Sequence, residues 1–356
     1  MRLHPPSAGE SYINGVGCAW PETTVSQPQA IEFLTRHYGP QLTARSLGLI
    51  HRIVGHPSIK ERHLALTDLD LLVRESADQR VARFTSEAVR LAAQAARRAL
   101  DHASCPTAAV SALVVNTCTG YVCPGLSTYL AEELGLHPRA KLFDLVGSGC
   151  GGAIPNLQLA SSLLAAEGQG VVVSISVEIC SATFQMGNDL SLIVSNALFG
   201  DGAAAAVLSS RPGGWRLLHT ASRTRPEHRE AVRYIHKDGA LHNQLAKEVP
   251  ELAAALVPQV VHDLLATCRI THREVGHWAL HPGGDRVIAA LEEALGLAER
   301  VLIPTRRILR DHGNMSSPTV WFIVEEIAAT ALPGEYCLMA AFGAGFSAHT
   351  CLLQRC

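Results

Sequence analysis

The fold is decided by the stretch Lys141-Leu142-Phe143-Asp144-Leu145-Val146-Gly147-Ser148-Gly149-Cys150-Gly151-Gly152-Ala153-Ile154-Pro155. An apolar run ends in glycines, presents Cys150 and continues as a helix, because apolar residues recur at helical spacing from Ile154 onwards. Pro155 fits the first turn, where its missing N–H costs little. A thiol at a helix N-terminus meets unpaired N–H donors and the positive end of the helix dipole, which favour the thiolate. Taken alone, the stretch predicts a nucleophilic cysteine or, equally well, a buried inert one.

Composition limits the classes of protein to consider. The chain has 356 residues, 47% of them hydrophobic and 17% charged, which is typical of a well-buried globular protein of two halves. A formal charge of -2 argues against nucleic acid or an anionic membrane as the main partner. We find no signal-peptide pattern and no run of about 18 apolar residues. Ten scattered cysteines without a CxxC pair predict reduced thiols in the cytoplasm and no structural metal.

The second half of the chain repeats the order of the first. Each half has a strand, a glycine turn, a long helix, a strand, a second glycine turn and a further strand, with apolar strands covered by helices. The break at Arg211-Pro212-Gly213-Gly214 suggests halves of 1–210 and 211–356. Residues 211–250 are polar and irregular, and for them we predict no element. The pattern predicts a layered α/β protein made by internal duplication.

The elements predicted from periodicity and turn residues define this order. The strands are expected at 12–18, 111–116, 171–175, 203–208, 277–280, 336–342 and 346–353. The helices are expected at 26–37, 87–103, 126–134, from 154 to about 167, and at 249–268, 285–295 and 318–330.

Three of the glycine turns carry reactive side chains, namely Cys150 in the first half and His281 and Asn314 in the second. A histidine beside a cysteine can stabilise a thiolate, and a histidine with an asparagine offers two donors to a developing oxyanion. Each of the two could instead be a turn residue bonded to its own backbone. Their joint occurrence with Cys150 favours a catalytic set.

The stretch from Arg45 to His63 is basic, with few acids. Such a run is either a solvated helix face or a docking surface for an anionic group such as a nucleotide phosphate. The residues alone leave both interpretations open.

Four motifs resemble those of the type III polyketide synthases, the chalcone synthase-like branch of the thiolase superfamily. They are Gly149-Cys150, Ala197-Leu198-Phe199-Gly200-Asp201-Gly202-Ala203-Ala204, Trp278-Ala279-Leu280-His281-Pro282-Gly283-Gly284 and Gly313-Asn314-Met315-Ser316-Ser317. The closing Phe342-Gly343-Ala344-Gly345 loop supports the resemblance. The motifs fall in the family's order and span the chain from about residue 10.

The resemblance implies a homodimer of five-layered αβαβα subunits that condenses coenzyme A thioesters without a metal or redox cofactor. By analogy, Cys150 holds the acyl starter and the growing chain. His281 keeps Cys150 as a thiolate, and together with Asn314 it binds the malonyl thioester carbonyl and stabilises the enolate formed on decarboxylation. Repeated condensation of malonyl-CoA and cyclisation would give an aromatic product of the resorcinol or phloroglucinol type, or a pyrone.

Further roles follow from the resemblance alone. Phe199 is expected at the throat between the coenzyme A tunnel and the cavity, and Thr183 and Asn243 in the pocket. Cys123 would reach the cavity of the partner subunit. The set is completed by the coenzyme A contacts Arg52 and Lys60 and by the active-site loop residues Gly343 and Gly345.

The chain departs from the plant pattern at two of these places. Asn243 stands where plant enzymes have a second throat aromatic, which argues against flavonoid starters. Ala344 replaces a proline of the closing loop. Short segments such as His277-Trp278 and Leu309-Arg310-Asp311 resemble those of bacterial enzymes that make resorcinol or dihydroxyphenylacetyl products.

Other classes use similar residues. An initiating-type ketoacyl synthase uses the same cysteine, histidine and asparagine for a single condensation on a carrier protein. The sequences of its histidine and asparagine turns differ from those of this chain. A papain-like protease would place an aromatic residue after the cysteine, where Gly151 stands here. A hydrolase of the nucleophile-elbow type wants glycine two residues before the nucleophile, where this chain has Ser148.

Overall fold

The computed structural model describes residues 10–168 and 170–356. Its strands are β1 (Ser11–Ala19), β2 (Thr24–Ser26), β3 (Glu61–His63), β4 (Val110–Asn116), β5 (Lys141–Leu145), β6 (Val171–Glu178), β7 (Gly202–Ser209), β8 (Trp215–Thr224), β9 (Val232–Lys237), β10 (Ala240–Leu245), β11 (Val275–Leu280), β12 (Tyr336–Gly343) and β13 (Ser347–Arg355). Its helices are α1 (Gln27–Tyr38), α2 (Ala44–Val54), α3 (Leu71–Arg74), α4 (Ala77–His102), α5 (Leu126–Glu133), α6 (Ala153–Glu167), α7 (Leu190–Leu198), α8 (Val249–Cys268), α9 (Asp285–Leu295), α10 (Ile303–His312) and α11 (Thr319–Ala328).

The main sheet has nine strands in the order β11-β12-β13-β8-β1-β7-β6-β4-β5. Strand β4 pairs in parallel with β5 and β6, whereas β6–β7 and β7–β1 are antiparallel. The other half repeats this in mirror order, since β11–β12 is parallel and β12–β13 and β13–β8 are antiparallel. Strands β1 and β8 join the two halves. The predicted duplication is therefore visible in the strand order.

Three apolar clusters arrange the helices in layers. Leu157 of α6 and Trp321 of α11 share a central cluster with strand residues of both halves. Helix α4 covers the outer face of the first half through residues such as Leu91. Helices α8 and α9 cover the outer face of the second half, for example through Leu264 and Leu291. The result is the five-layered αβαβα architecture that the family resemblance implies.

Helix α4 lies unusually close to β1. A Cβ atom on Gly15 would collide with the carbonyl oxygen of Ala99, so small residues on both elements permit this approach. The sequence predicts the helix only from Glu87, but it begins at Ala77. Ser76 caps it, and its first turns pack less tightly than the alanine-rich part, so the apolar periodicity is diluted there.

The stretch 211–250, for which we predicted no element, contains β8, β9 and β10. Strands β9 and β10 form a separate hairpin in which Tyr234 lies opposite Asn243. Most of the side chains in β9 and β10 are only half-buried, and this weakens the alternation by which a strand is recognised. Helices α2, α3, α7 and α10 and the short strands β2 and β3 have no predicted counterpart either.

Helix α8 is the one helix within the described residues that is long and apolar enough to cross a membrane, at 20 residues and mean hydropathy 1.2. Glu251, His262 and Asp263 interrupt its apolar residues, so it is not an unbroken apolar run of about 18 residues and does not contradict the expectation that the chain has none. Ala253, Val257, Val260 and Leu264 of this helix are buried in the cluster that covers the second half. In this structure α8 is therefore a core helix.

Candidate active site

Cys150 lies in a single turn of 3-10 helix, Gly149–Gly151, just before α6. Its sulfur accepts a hydrogen bond from the hydroxyl of Ser316 at 3.3 Å. Burial raises the pKa of the Cys150 thiol to about 12; the Ser316 hydrogen bond opposes this and the charge of Glu178 adds to it. The thiolate expected from the helix N-terminus is therefore not the form that this environment favours.

His281 follows β11 directly, and its backbone N–H donates to the carbonyl of Ala340 at 2.8 Å. The residue is only 1% exposed, and among the described residues neither ring nitrogen has a hydrogen-bond partner. Burial lowers the pKa of His281 to about 3, so the ring is neutral. A buried imidazole with two unused nitrogens is costly unless a ligand supplies the partner.

Asn314 is held by its backbone against Phe199 at the end of α7. Its N–H donates to the carbonyl of Leu198 at 2.8 Å, and its own carbonyl accepts from Gly200 at 3.0 Å. The side-chain Oδ1 of this buried residue accepts from the N–H of Ser316 at 2.7 Å. Because the oxygen is fixed in this way, Nδ2 is the atom that remains to bind a substrate carbonyl.

The three turns meet through their neighbours. The end of β12 packs on the cysteine turn so tightly that a Cβ atom on Gly343 would collide with the carbonyl oxygen of Ser148. The ring of Phe342 meets His281 edge to face at 5.6 Å between centroids. Ser316, two residues after Asn314, bonds the Cys150 sulfur. The structure thus gathers all three predicted turns around one place.

A cavity of about 780 Å³ opens beside the cysteine turn. Of the predicted site residues, Cys150, Phe199 and Asn243 line it, as does Ala344 between Gly343 and Gly345. Thr183 is buried behind the wall, where its hydroxyl lies 3.3 Å from that of the wall residue Tyr234.

Cys123, Arg52 and Lys60 lie outside the cavity wall, and His281, Asn314, Gly343 and Gly345 are also not among the residues that line it. Cys123 is exposed. Arg52 and Lys60 are exposed, and the Lys60 ammonium lies 3.6 Å from a Glu61 oxygen. The described part of the chain contains no group of three or more His, Cys, Asp or Glu that could hold a metal ion.

Sequence reasoning missed Glu178 and Tyr234. The Glu178 carboxylate accepts from the N–H groups of Cys118 and Thr119 at 2.9 and 3.1 Å, and from the hydroxyls of Thr117, Thr119 and Ser317. A single acid at the end of an apolar strand could have indicated it. Tyr234 lies in the hairpin for which no element was predicted.

The fold and the site define a thiolase-like enzyme with a cysteine, a histidine and an asparagine at its centre. Comparison with known proteins identifies the family. The profile described as "Chalcone and stilbene synthases, N-terminal domain" matches residues 2–212, and that of the C-terminal domain matches residues 217–356. The chain belongs to this family and is a type III polyketide synthase, an acyltransferase that forms carbon–carbon bonds. The resemblance, the fold class and the type of reaction predicted from the sequence are thereby confirmed.

Two curated bacterial relatives extend over most of the chain. The 3,5-dihydroxyphenylacetyl-CoA synthase of Streptomyces toyocaensis is 31% identical over 98% of this chain and 91% of its own length. The 1,3,6,8-tetrahydroxynaphthalene synthase of Streptomyces peucetius subsp. caesius is 30% identical over 86% of this chain and 83% of its own.

Solved structures agree in fold. A type III pentaketide synthase from Neurospora crassa superposes with a TM-score of 0.86 at 25% identity, covering 97% of this chain and 100% of the other. PKS-I from the brown alga Ectocarpus siliculosus superposes with a TM-score of 0.90 at 24% identity, covering 98% of each chain.

Proposed function

We propose that this enzyme condenses malonyl-CoA repeatedly onto an acyl-CoA starter carried on Cys150. The observation that carries the assignment of residues is the buried His281, which has two unused ring nitrogens beside the turn that presents the thiol. An interior imidazole without a partner is retained where a ligand completes its hydrogen bonds.

Loading begins with neutral partners, since burial disfavours both the thiolate and the imidazolium. As the sulfur attacks the thioester carbon, His281 takes the thiol proton, so the two charges develop beside each other rather than in isolation. The coenzyme A sulfur leaves and takes this proton. A new thioester on Cys150 replaces the original one.

Extension uses the same histidine and Asn314. The N–H of His281 and the Nδ2 of Asn314 donate to the thioester oxygen of malonyl-CoA, carbon dioxide leaves, and the electron pair of the broken bond forms an enolate. Two preorganised donors in a desolvated site stabilise such an oxyanion by about 3 kcal/mol each. The enolate carbon attacks the thioester on Cys150, and the sulfur leaves as a thiolate that takes a proton from solvent. The extended chain on coenzyme A can then be loaded again.

The cavity wall restricts the starter. Asn243 and Phe199 both face the cavity. A small polar side chain at position 243 disfavours the aromatic starters of flavonoid enzymes, and an aromatic product of the dihydroxyphenyl or resorcinol type is in keeping with the names of the bacterial relatives. Arg52 and Lys60 are exposed cations for the phosphates of coenzyme A.

The working unit is a homodimer in the cytoplasm, with residues 1–210 and 211–356 as the two halves of each subunit. Tyr121 and Val146 line the cavity yet are 78% and 61% exposed, and β5 is an edge strand of the main sheet. Apolar side chains at an open edge favour a second subunit as their cover, which would also bring Cys123 to the partner's cavity. Light scattering on the pure enzyme tests the dimer.

The central experiment is incubation of the enzyme with malonyl-CoA and a panel of acyl-CoAs, with the products read by mass. We expect Cys150→Ala to abolish condensation while leaving the fold intact, because a small residue suits the turn. Cys105→Ala is the matched control, a half-buried cysteine outside the cavity. Product formation by the Cys150 variant would overturn the assignment. Activity only with thioesters of a carrier protein would instead indicate the initiating-type ketoacyl synthase.

A further inference from the structure

A series of three hydrogen bonds runs from an exposed residue of β8 to the loop that walls the cavity. The hydroxyl of Ser222 lies 2.8 Å from Nδ1 of His349, and Nε2 of His349 lies 3.0 Å from the hydroxyl of Ser347. The Ser347 hydroxyl donates to the carbonyl of Ala344 at 2.8 Å. Ala344 lines the cavity.

The Ala344 carbonyl at one end of this hydrogen-bond series fixes which atom donates and which accepts in each of the three bonds. A carbonyl can only accept, so the Ser347 proton is committed to Ala344 and its oxygen accepts from His349 Nε2–H. Nδ1 is then the acceptor for the Ser222 hydroxyl. This requires the neutral ring, and burial lowers the pKa of His349 to about 4.

The same imidazole supports the cysteine turn from behind. A Cβ atom on Gly151 would lie 3.0 Å from Cδ2 of His349, and one on Gly149 would lie 3.1 Å from the backbone nitrogen of Ala344. The ring therefore contacts the turn that presents Cys150, and through Ser347 it holds the loop that packs on the other side of that turn.

The loop needs such a restraint. Ala344 stands between two glycines, of which Gly345 has a φ of 115°. A segment of small residues has wide conformational freedom, and only external contacts fix it.

We propose that His349 is a positioning residue, which holds the Cys150 turn and the Ala344 wall in one register through its ring edge and the Ser347 hydroxyl. It touches no reacting atom. The inference rests on Cys150 as the nucleophile of the proposed function. A nucleophile displaced by a fraction of an ångström loses rate rather than affinity, since supporting hydrogen bonds set the geometry of the reacting groups.

The test is steady-state condensation with malonyl-CoA and the best starter of the panel. We expect His349→Ala and Ser347→Ala to lower kcat about tenfold with KM for malonyl-CoA unchanged. His349→Gln should restore most of the rate, because its amide can donate to Ser347. In the double variant the two losses should not add, as for residues of one network.

Thr350→Val is the matched control. Thr350 is the next residue of β13 and is also buried, and its hydroxyl donates to the carbonyl of Ala221 on the neighbouring strand β8. Its side chain points to the opposite face of the sheet. This variant should keep the wild-type kcat even if its melting temperature falls.

Three results would overturn the inference. They are an unchanged kcat in both alanine variants, an equal loss of kcat in Thr350→Val, or a loss that His349→Gln does not restore. Should either alanine variant fail to fold, Ser222→Ala at the exposed end decides, and there we expect a kcat loss of only about twofold with no change in stability.

A second readout separates this inference from the proposed function. If the wild-type enzyme makes no product from any acyl-CoA, the proposed function fails. The alkylation rate of Cys150 by iodoacetamide, followed by peptide mass, still reports the position of the thiol. We expect a severalfold change of that rate in His349→Ala and none in His349→Gln or Thr350→Val; equal rates in all three would reject the positioning role.

Discussion

Glu178 and His281 are both fully enclosed, and both belong to the region around Cys150, but their surroundings differ completely. The carboxylate of Glu178 accepts five hydrogen bonds from residues 117–119 and 317. The ring of His281 has no partner among the described residues. A satisfied polar group stabilises the structure around it, whereas an unsatisfied one lowers stability until a substrate binds. The contrast separates the residues that build this site from those that act in it.

The largest loss of activity should come from replacing His281, the buried group that has no hydrogen-bond partner among the described residues. His281→Gln loses the proton acceptor for the Cys150 thiol, and we expect condensation to fall about a thousandfold, as for a lost general base. Glu178→Gln keeps an oxygen for the two backbone N–H groups and should have a far smaller effect. Rates of malonyl-CoA consumption for both variants test this. If Glu178→Gln is the more damaged enzyme, the contrast is wrong.

The side chain of Asn314 combines one polar atom that has a hydrogen-bond partner with one that has none among the described residues. Its Oδ1 is satisfied by Ser316 and only Nδ2 is left for substrate. Asn314→Ala should lower malonyl-CoA decarboxylation about a hundredfold, which is the loss expected for one oxyanion donor. Transfer of the starter to Cys150 should persist, because that step uses the thiol and His281.

The release of carbon dioxide and the mass of the acyl-enzyme report these two steps separately. Asn188→Ala is the control, an amide at the surface that accepts from the N–H of Thr43. Intact decarboxylation together with failed loading would assign Asn314 to the other step.

His281 could be predicted from the sequence and Glu178 could not, because only Glu178 depends on hydrogen-bond donors that are distant in the sequence. His281 could be found in the sequence because a lone histidine between an apolar strand and two glycines is conspicuous without knowledge of its neighbours. Glu178 could not, because its meaning depends on donors 59 to 61 and 139 residues away. Motif reading finds isolated reactive groups and misses those that are built into networks.

The fold shows the same division. The bounds of α4 were predicted only in part, since it begins at Ala77 rather than at Glu87, whereas the 20-residue helix α8 was predicted to the residue. The hairpin of β9 and β10 was not, because its half-buried residues carry little periodicity and its place beside the cavity is set by tertiary contacts. This hairpin brings Tyr234 to the cavity wall, and because the hairpin was not predicted, neither was the position of Tyr234.

The expected effects on stability have the opposite order to the expected effects on activity. Glu178→Ala leaves two buried backbone N–H groups without an acceptor, and we expect a loss of about 3 kcal/mol in the free energy of unfolding. His281→Gln breaks no hydrogen bond of the ring within the described residues. It should therefore change the free energy of unfolding by less than about 1 kcal/mol. Urea unfolding of both variants at neutral pH checks this. Equal losses would mean that His281 has a structural partner.

The smallest effect concerns pH, and its sign follows from the buried rings. Burial lowers the pKa of His281 to about 3 and those of His312 and His349 to about 4, against about 6.5 in the unfolded chain. Between these values the unfolded state binds more protons, so stability falls as pH falls below about 6.5. Glu178 and Asp201 have raised pKa values through burial and act in the opposite direction, but equally in every variant compared.

Each ring accounts for up to about 1.4 kcal/mol of unfolding free energy per pH unit in that window. We therefore expect His281→Gln to lose less stability than the wild-type enzyme between pH 6.5 and pH 5.5, by about 1 kcal/mol. Urea unfolding at the two pH values measures the difference, and His219→Gln, at an exposed position of β8, is the control. Because Glu178 is unchanged in both proteins, its opposing contribution cancels in this comparison. A pH dependence that His281→Gln leaves unaltered would show that the ring is charged or partnered in the folded enzyme, and the distinction between the two buried groups would then be lost.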